Sequence, residues 1–213
     1  MKYSIVGFLA TAVLSLAACN SGSKMAEKND TMNSDQMAKM TKMDSSTATP
    51  TEKVDAPVIK ASFNNVSADV AAHVKELVSH YFHIKHALVS DDAAEAKKGA
   101  TMMLQVISQF DNSLLSAEQK AEYSKHIGAI KQHADAIVKG ADINAERVQF
   151  SNLSTHTYEL IKAFGAGKKI YYDHCPMAFK DKGANWLNES VAIENPYMGT
   201  KMPGCGSVEQ VVE

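Results

Sequence analysis

The chain has 213 residues, with 22 Lys and Arg against 24 Asp and Glu, a formal net charge of −2 at pH 7, and 45% hydrophobic residues. That length allows one domain of ordinary size plus a linker, and no internal repeat is visible. The near-neutral balance supplies no basic footprint for nucleic acid and none for anionic lipid.

The chain opens Met1-Lys2-Tyr3 and then runs from Ser4 to Leu14 almost without polarity before reaching Leu16-Ala17-Ala18-Cys19. A charged start, a short apolar core and a small-residue end read as an export signal over residues 1–18. The apolar run falls short of the about 20 residues a membrane span requires, so cleavage is expected rather than retention. The order small, small, Cys resembles the bacterial lipobox, which makes Cys19 the expected lipidated residue and first residue of the mature chain. Several acyl chains give the durable attachment that one cannot. The expected location is the cell envelope, anchored to a bacterial membrane and facing the periplasm, where disulfides are permitted.

Residues 19–60 read as the anchor followed by a tether. Ser, Thr, Lys, Asp and Asn dominate, and too little apolar surface is present to offset ordering. A flexible chain of about 40 residues spans roughly 35 Å root-mean-square. Five of the eleven methionines, Met25, Met32, Met37, Met40 and Met43, lie in it. Thioethers are soft ligands suited to Cu(I), so the bias reads as metal collection, with a weak amphipathic turn as the plainer alternative.

Residues 61–213 form the folded domain. Ser67 reads as an N-cap for a first helix whose apolar stripe is Val70, Val74, Leu77, Val78, Tyr81 and Leu88. Ser90-Asp91-Asp92 introduces a second helix with Met103, Leu104, Ile107 and Phe110 inside. Ser116-Ala117-Glu118-Gln119 reads as a capping box for a third, which ends at Lys139-Gly140. A fourth starts near Asn144 and carries Val148, Leu153, Leu160, Ile161 and Phe164 to Gly165. Helices of this length with short connections predict an all-α fold: an antiparallel four-helix bundle with a long loop-rich C-terminal tail packed on it. The tail is expected to pack through Tyr171, Tyr172, Phe179, Trp186, Leu187 and Tyr197.

The chemistry-bearing residues concentrate in that tail. His174, Cys175 and Met177 bring imidazole, thiol and thioether together around Pro176, and Met202 and Cys205 add a second soft pair. This set suits Cu(I) first and Zn(II) second. An equally weighted alternative is a Cys175–Cys205 disulfide stapling the tail, in a non-metal helical interaction module that offers Trp186 and Tyr197 to a protein.

The blocks Tyr171-Tyr172-Asp173-His174-Cys175-Pro176-Met177, Gly183-Ala184-Asn185-Trp186-Leu187, Asn195-Pro196-Tyr197-Met198-Gly199 and Met202-Pro203-Gly204-Cys205-Gly206 resemble the end of the domain of unknown function family 3347. Tyr81 and Ala87-Leu88-Val89-Ser90-Asp91 resemble its first helix and turn, so the likeness spans roughly residues 65–208. It implies a helical periplasmic domain, found in envelope lipoproteins and fused to heavy-metal efflux adaptors, with a role in copper handling through His174, Cys175, Met177 and Cys205. Metal-efflux components are the partners it implies. No adaptor hairpin or barrel is present, so the adaptor role itself does not carry over.

The remaining histidines read mainly as solvated. His73, His80 and His83 fall within about 80° on one helical projection, where a second exposed metal patch or an extension of the tail site is the alternative to solvated flank positions; His86 turns away, and His126, His133 and His156 occupy later helices. No Gly-x-Ser-x-Gly elbow, phosphate loop or His-Glu-x-x-His motif is present, and the chain reads as a non-enzyme.

Overall fold

In the computed structural model, residues 55–213 are described. The expected signal peptide, Cys19 and the five tether methionines lie outside them. No described helix is long and apolar enough to cross a membrane.

Four helices carry most of the domain: α1 (Ala68–Val89), α2 (Ala93–Gln109), α3 (Ala117–Val138) and α4 (Ile143–Phe164). Each starts on a side chain that satisfies its free amide groups. Ser67 accepts from the Val70 N–H, Asp92 from Glu95, and Asp142 from Asn144 and Ala145. The capping box forms as the sequence predicts, with the Gln119 N–H donating to Ser116 Oγ and the Ser116 N–H to Gln119 Oε1. Connections of three, seven and four residues between helices of 17 to 22 residues leave only antiparallel neighbours possible. α1 packs on α2, α2 on α3, α3 on α4, and α4 back on α1. Val148, expected inside α4, is 46% exposed; the buried face of that helix runs through Phe150, Leu153, Thr157 and Ile161 instead.

The all-α expectation is overturned, because the tail is not loop-rich but forms most of a four-stranded sheet. Its strands are β1 (Val58–Ile59), β2 (Ile170–Cys175), β3 (Ala184–Asn188) and β4 (Ser207–Val212), in the order β1-β4-β2-β3. β2 runs antiparallel to both neighbours, and β1 lies parallel to β4. A register shift at Tyr172/Asp173 breaks the alternation that would mark β2 as a strand, and Asp173 is buried beside apolar residues. β3 buries Trp186, Leu187 and Asn188 in succession, so it shows no alternation at all. The sheet also takes in Val58–Ile59, with the Val211 N–H donating to the Pro57 carbonyl and the Glu213 N–H to that of Ile59.

Two polar joints attach this sheet and its loops to the bundle. At the first, fully buried Tyr81 on α1 accepts from the Leu187 N–H of edge strand β3 at 2.9 Å. Its hydroxyl hydrogen goes to Ser154 Oγ, 2.7 Å away, which in turn donates to the Phe150 carbonyl. At the second, Arg147 on α4 donates to the Leu88 and Pro196 carbonyls and to Asp91 Oδ1. The other oxygen of Asp91 accepts from the Thr200 N–H and hydroxyl. These bonds hold the Asp91 carboxyl down at about 2, the Thr200 hydroxyl contributing most and Arg147 next.

Gly199 makes that second joint possible. It sits at φ +55°, and a Cβ there would come 2.2 Å from Asp91 Oδ1 and 2.3 Å from Arg147 Nη2. Gly199→Ala is therefore expected to lower stability by more than about 2 kcal/mol, through the left-handed backbone and the displaced ion pair. Thermal and urea unfolding measure it; a loss under about 0.5 kcal/mol would show that the joint tolerates a side chain.

Candidate functional site

The strand pairing β2–β4 and the turn before β4 bring the two tail cysteines together. Cys175 ends β2 and is fully buried; Cys205, half-buried, closes a turn in which its N–H donates to the Met202 carbonyl. Their sulfurs lie 2.8 Å apart, closer than non-bonded sulfurs rest and beyond the about 2.05 Å of a disulfide bond. The facing Cys175 raises the Cys205 thiol to about 11, first by the sulfur hydrogen bond, then with help from burial and Cys175's charge. Both groups are free thiols in this structure.

The loop that delivers Cys205 is organised by Asn195, which is fully buried. Its Oδ1 accepts from the Tyr197 and Met198 N–H groups, its Nδ2 donates to the Cys205 carbonyl at 2.6 Å, and its backbone N–H donates to Pro203. Trp186 and Tyr197 pack edge to face, 5.8 Å between ring centroids. Both are buried, at 0% and 7% exposure, so neither is offered to a partner as the interaction-module reading supposed. Between β2 and β3, Phe179, Lys180 and Asp181 all adopt positive φ, a left-handed turn of a kind that costs roughly 1–2 kcal/mol per residue.

The other sequence-singled residues are placed less centrally. His174 precedes Cys175 on a strand and so faces the opposite side of the sheet, where its Nδ1 lies 3.4 Å from Glu209 Oε1. Met177 and Met202 are 46% and 38% exposed, on turns adjoining Cys175 and Cys205. Among the described residues no group of three or more His, Cys, Asp or Glu is arranged to hold a metal ion. The structure thus unites Cys175 with Cys205 and leaves His174 apart from them.

A buried polar cluster beside the cysteines was not legible as a site. Lys85 on α1 is fully buried and donates to Asn188 Oδ1 at 2.9 Å and to Glu194 Oε2 at 2.5 Å. Asn188 uses its remaining capacity fully: its Oδ1 also accepts from the Glu189 N–H, and its Nδ2 donates to Asp173 Oδ2 and the Ala192 carbonyl. Asp173, two residues before Cys175, keeps one oxygen without a partner. Burial pushes its carboxyl up to about 7 against the opposing pull of Asn188 and Lys85. The visible signal was Lys85 itself, a charge set between Tyr81 and Leu88 in an apolar stripe.

Residues 77–169 match the family model described as "Protein of unknown function (DUF3347)". The match runs from Leu77 in α1 to the residue before β2, and therefore stops short of the cysteine-bearing blocks. No curated protein and no solved structure gives a match.

The Asp173 environment yields a pH signature. The folded chain binds a proton at Asp173 between about pH 4 and 7 that the unfolded chain releases, so this group's contribution falls as pH rises through that window. Asp173→Asn removes the effect while keeping an acceptor for Asn188. The variant's stability relative to the parent is expected to rise from pH 4 to 7, by at most about 4 kcal/mol. Parallel stability curves from urea unfolding across this range would show an ordinary carboxyl.

Proposed function

We propose that this chain, whose residues 77–169 belong to the DUF3347 family, is a lipid-anchored protein of the bacterial cell envelope that binds the soft ion Cu(I) through Cys175 and Cys205. The observation that carries the reading is the sulfur pair: two thiols thirty residues apart in sequence stand 2.8 Å apart, one of them half-buried and next to exposed thioethers. Two thiolates are a sufficient core for a d10 ion that accepts low coordination, and Met177 and Met202 are the accessory donors on the flanking turns. His174 faces away and belongs to the outer surroundings. The Leu16-Ala17-Ala18-Cys19 end of the apolar leader supports the anchor, and the tether methionines support collection of the ion near the membrane. The resemblance at the tail supports metal-efflux components as recipients.

Metal–sulfur bonds of about 2.3 Å place two thiolates about 3.8 Å apart in a tetrahedral shell and about 4.6 Å apart in a linear one. The sulfurs must therefore separate by about 1–2 Å on loading. Cys205, half-buried on a turn, is the sulfur that moves, by side-chain rotation, since Cys175 is held within the strand ladder. Each thiol must also lose its proton to become a ligand, so binding releases up to two protons per ion.

The same 2.8 Å contact favours a second state, the disulfide-stapled module. Two-electron oxidation by an external disulfide joins these sulfurs with little movement, and closing a loop of about 30 residues adds about 3–4 kcal/mol of stability. The two states exclude each other, since an oxidised pair has no thiolate to offer.

Competition titration of the reduced chain lacking residues 1–19, with a Cu(I) chelator, tests the reading. Cys175→Ser with Cys205→Ser is expected to lower affinity at least tenfold, and affinity of the parent is expected to rise by between about tenfold and a hundredfold per pH unit between pH 6 and 8, as one or two protons are released. Equal affinity in parent and variant would sink the copper reading. Labelling of protein taken directly from the envelope separates the states, with two reactive thiols excluding the staple.

A further inference from the structure

The seam between α3 and α4 holds three imidazoles that the cysteine site does not use. His126 and His133 lie seven residues apart on α3, two turns along one face, and His156 enters from α4. The His126 and His156 rings are 5.7 Å apart, and His133 stacks on His156 at 6.2 Å with 16° between planes. We infer that this seam is a second metal site, taking a borderline divalent cation such as Zn(II) through His126 and His156, with His133 as a third ligand.

The distance between facing nitrogens carries the argument. Nδ1 of His126 lies 3.4 Å from Nδ1 of His156, at the long end of any hydrogen bond. Metal–nitrogen bonds of about 2.0–2.1 Å give a tetrahedral shell an edge of about 3.3–3.4 Å, so the two nitrogens already stand as neighbouring ligands of one ion do. The surrounding acceptors select the tautomers such a site requires. Glu122 Oε1 lies 3.4 Å from His126 Nε2, on the side away from His156. A proton held at Nε2 by that carboxylate leaves the Nδ1 lone pair facing His156, the carboxylate–histidine–metal arrangement. Gln149 Oε1 lies 2.9 Å from His133 Nδ1; the proton donated there leaves Nε2 as the basic nitrogen of that ring.

Charge works in the same direction. The three rings lie against one another, so a cation among them would relieve the crowding of their lone pairs. Three donors do not converge on one point among the described residues. The fixed part is thus the His126–His156 pair, and His133 joins by side-chain rotation, giving up its stack on His156. Imidazole nitrogens match Zn(II), Cu(II) or Ni(II) better than the soft Cu(I) of the thiol pair or hard Mg(II) and Ca(II). The site is independent of the copper reading and stands or falls without it.

The test uses the mature chain carrying Cys175→Ser and Cys205→Ser, titrated with Zn(II) alone by calorimetry, with imidazole 15N spectra recorded alongside. One equivalent is expected to shift the ring nitrogens of His126 and His156 first. His156→Gln is expected to weaken binding at least tenfold, His126→Gln likewise, and His133→Gln less. Circular dichroism confirms that each variant keeps its helices, and the spectra of the unsubstituted rings give an answer even where a variant does not. Shifts confined to His80, His83 and His86, or a change under threefold in both the His126 and His156 variants, overturn the inference.

Discussion

The structure depends on how one helix treats an edge strand. β3 is at the edge of the sheet, and the outward N–H of Leu187 must find an acceptor when the bundle covers it. Tyr81 supplies that acceptor from within an otherwise apolar stripe, and Lys85, one turn on, supplies the charge that Asn188 and Glu194 answer. Removing water from this seam strengthens each bond and makes each unpaired group costly, so helix and strand are fixed in one register rather than merely pressed together. β2 follows β3 through the ladder, β4 follows β2, and the cysteine positions follow from that pairing. The thiol contact is thus set in part by contacts made at the opposite edge of the sheet, on β3.

The resembling motifs take on a structural meaning in this light. Asp91, from the turn after α1, and Gly199, from the Asn-Pro-Tyr-Met-Gly block, are more than a hundred residues apart in sequence and share Arg147. Pro196 contributes the carbonyl that Arg147 Nε reaches, and Asn195 shapes the loop between them. A good part of the motif sequence therefore specifies a joint between bundle and tail. The two cysteines meet at the end of this scaffold, and their contact carries the functional proposal.

What was legible in the sequence was local. Caps at Ser67 and Ser116, the Gly165 stop and the spacing of the α1 stripe depend on neighbours within one or two turns, and the helices came out where these place them. β2 was hidden because Asp173 sits on a buried face, and its compensation comes from Asn188 and Lys85, fifteen and eighty-eight residues away. β1 is two residues long, too short to show a period. The choice of ligands suffered from the same limit. His174 and Cys175 look paired in sequence but strand alternation separates them, whereas Cys175 and Cys205 look distant and meet. His126, His133 and His156 carry no spacing signal across two helices, and only the packing of α3 on α4 groups them.

The far edge of the sheet has a different consequence. β1 pairs with Val211 and Val212, so among the described residues Ser207 to Gln210 of β4 have no second strand beside them. An unpaired run of backbone of this kind is a template for intermolecular pairing. Glu209 on that run and the register shift in neighbouring β2 are what work against it, by like-charge repulsion and by twist. The short strand at 58–59 thus also acts as a guard against self-association, covering the most apolar stretch of an edge that would otherwise be open along its whole length.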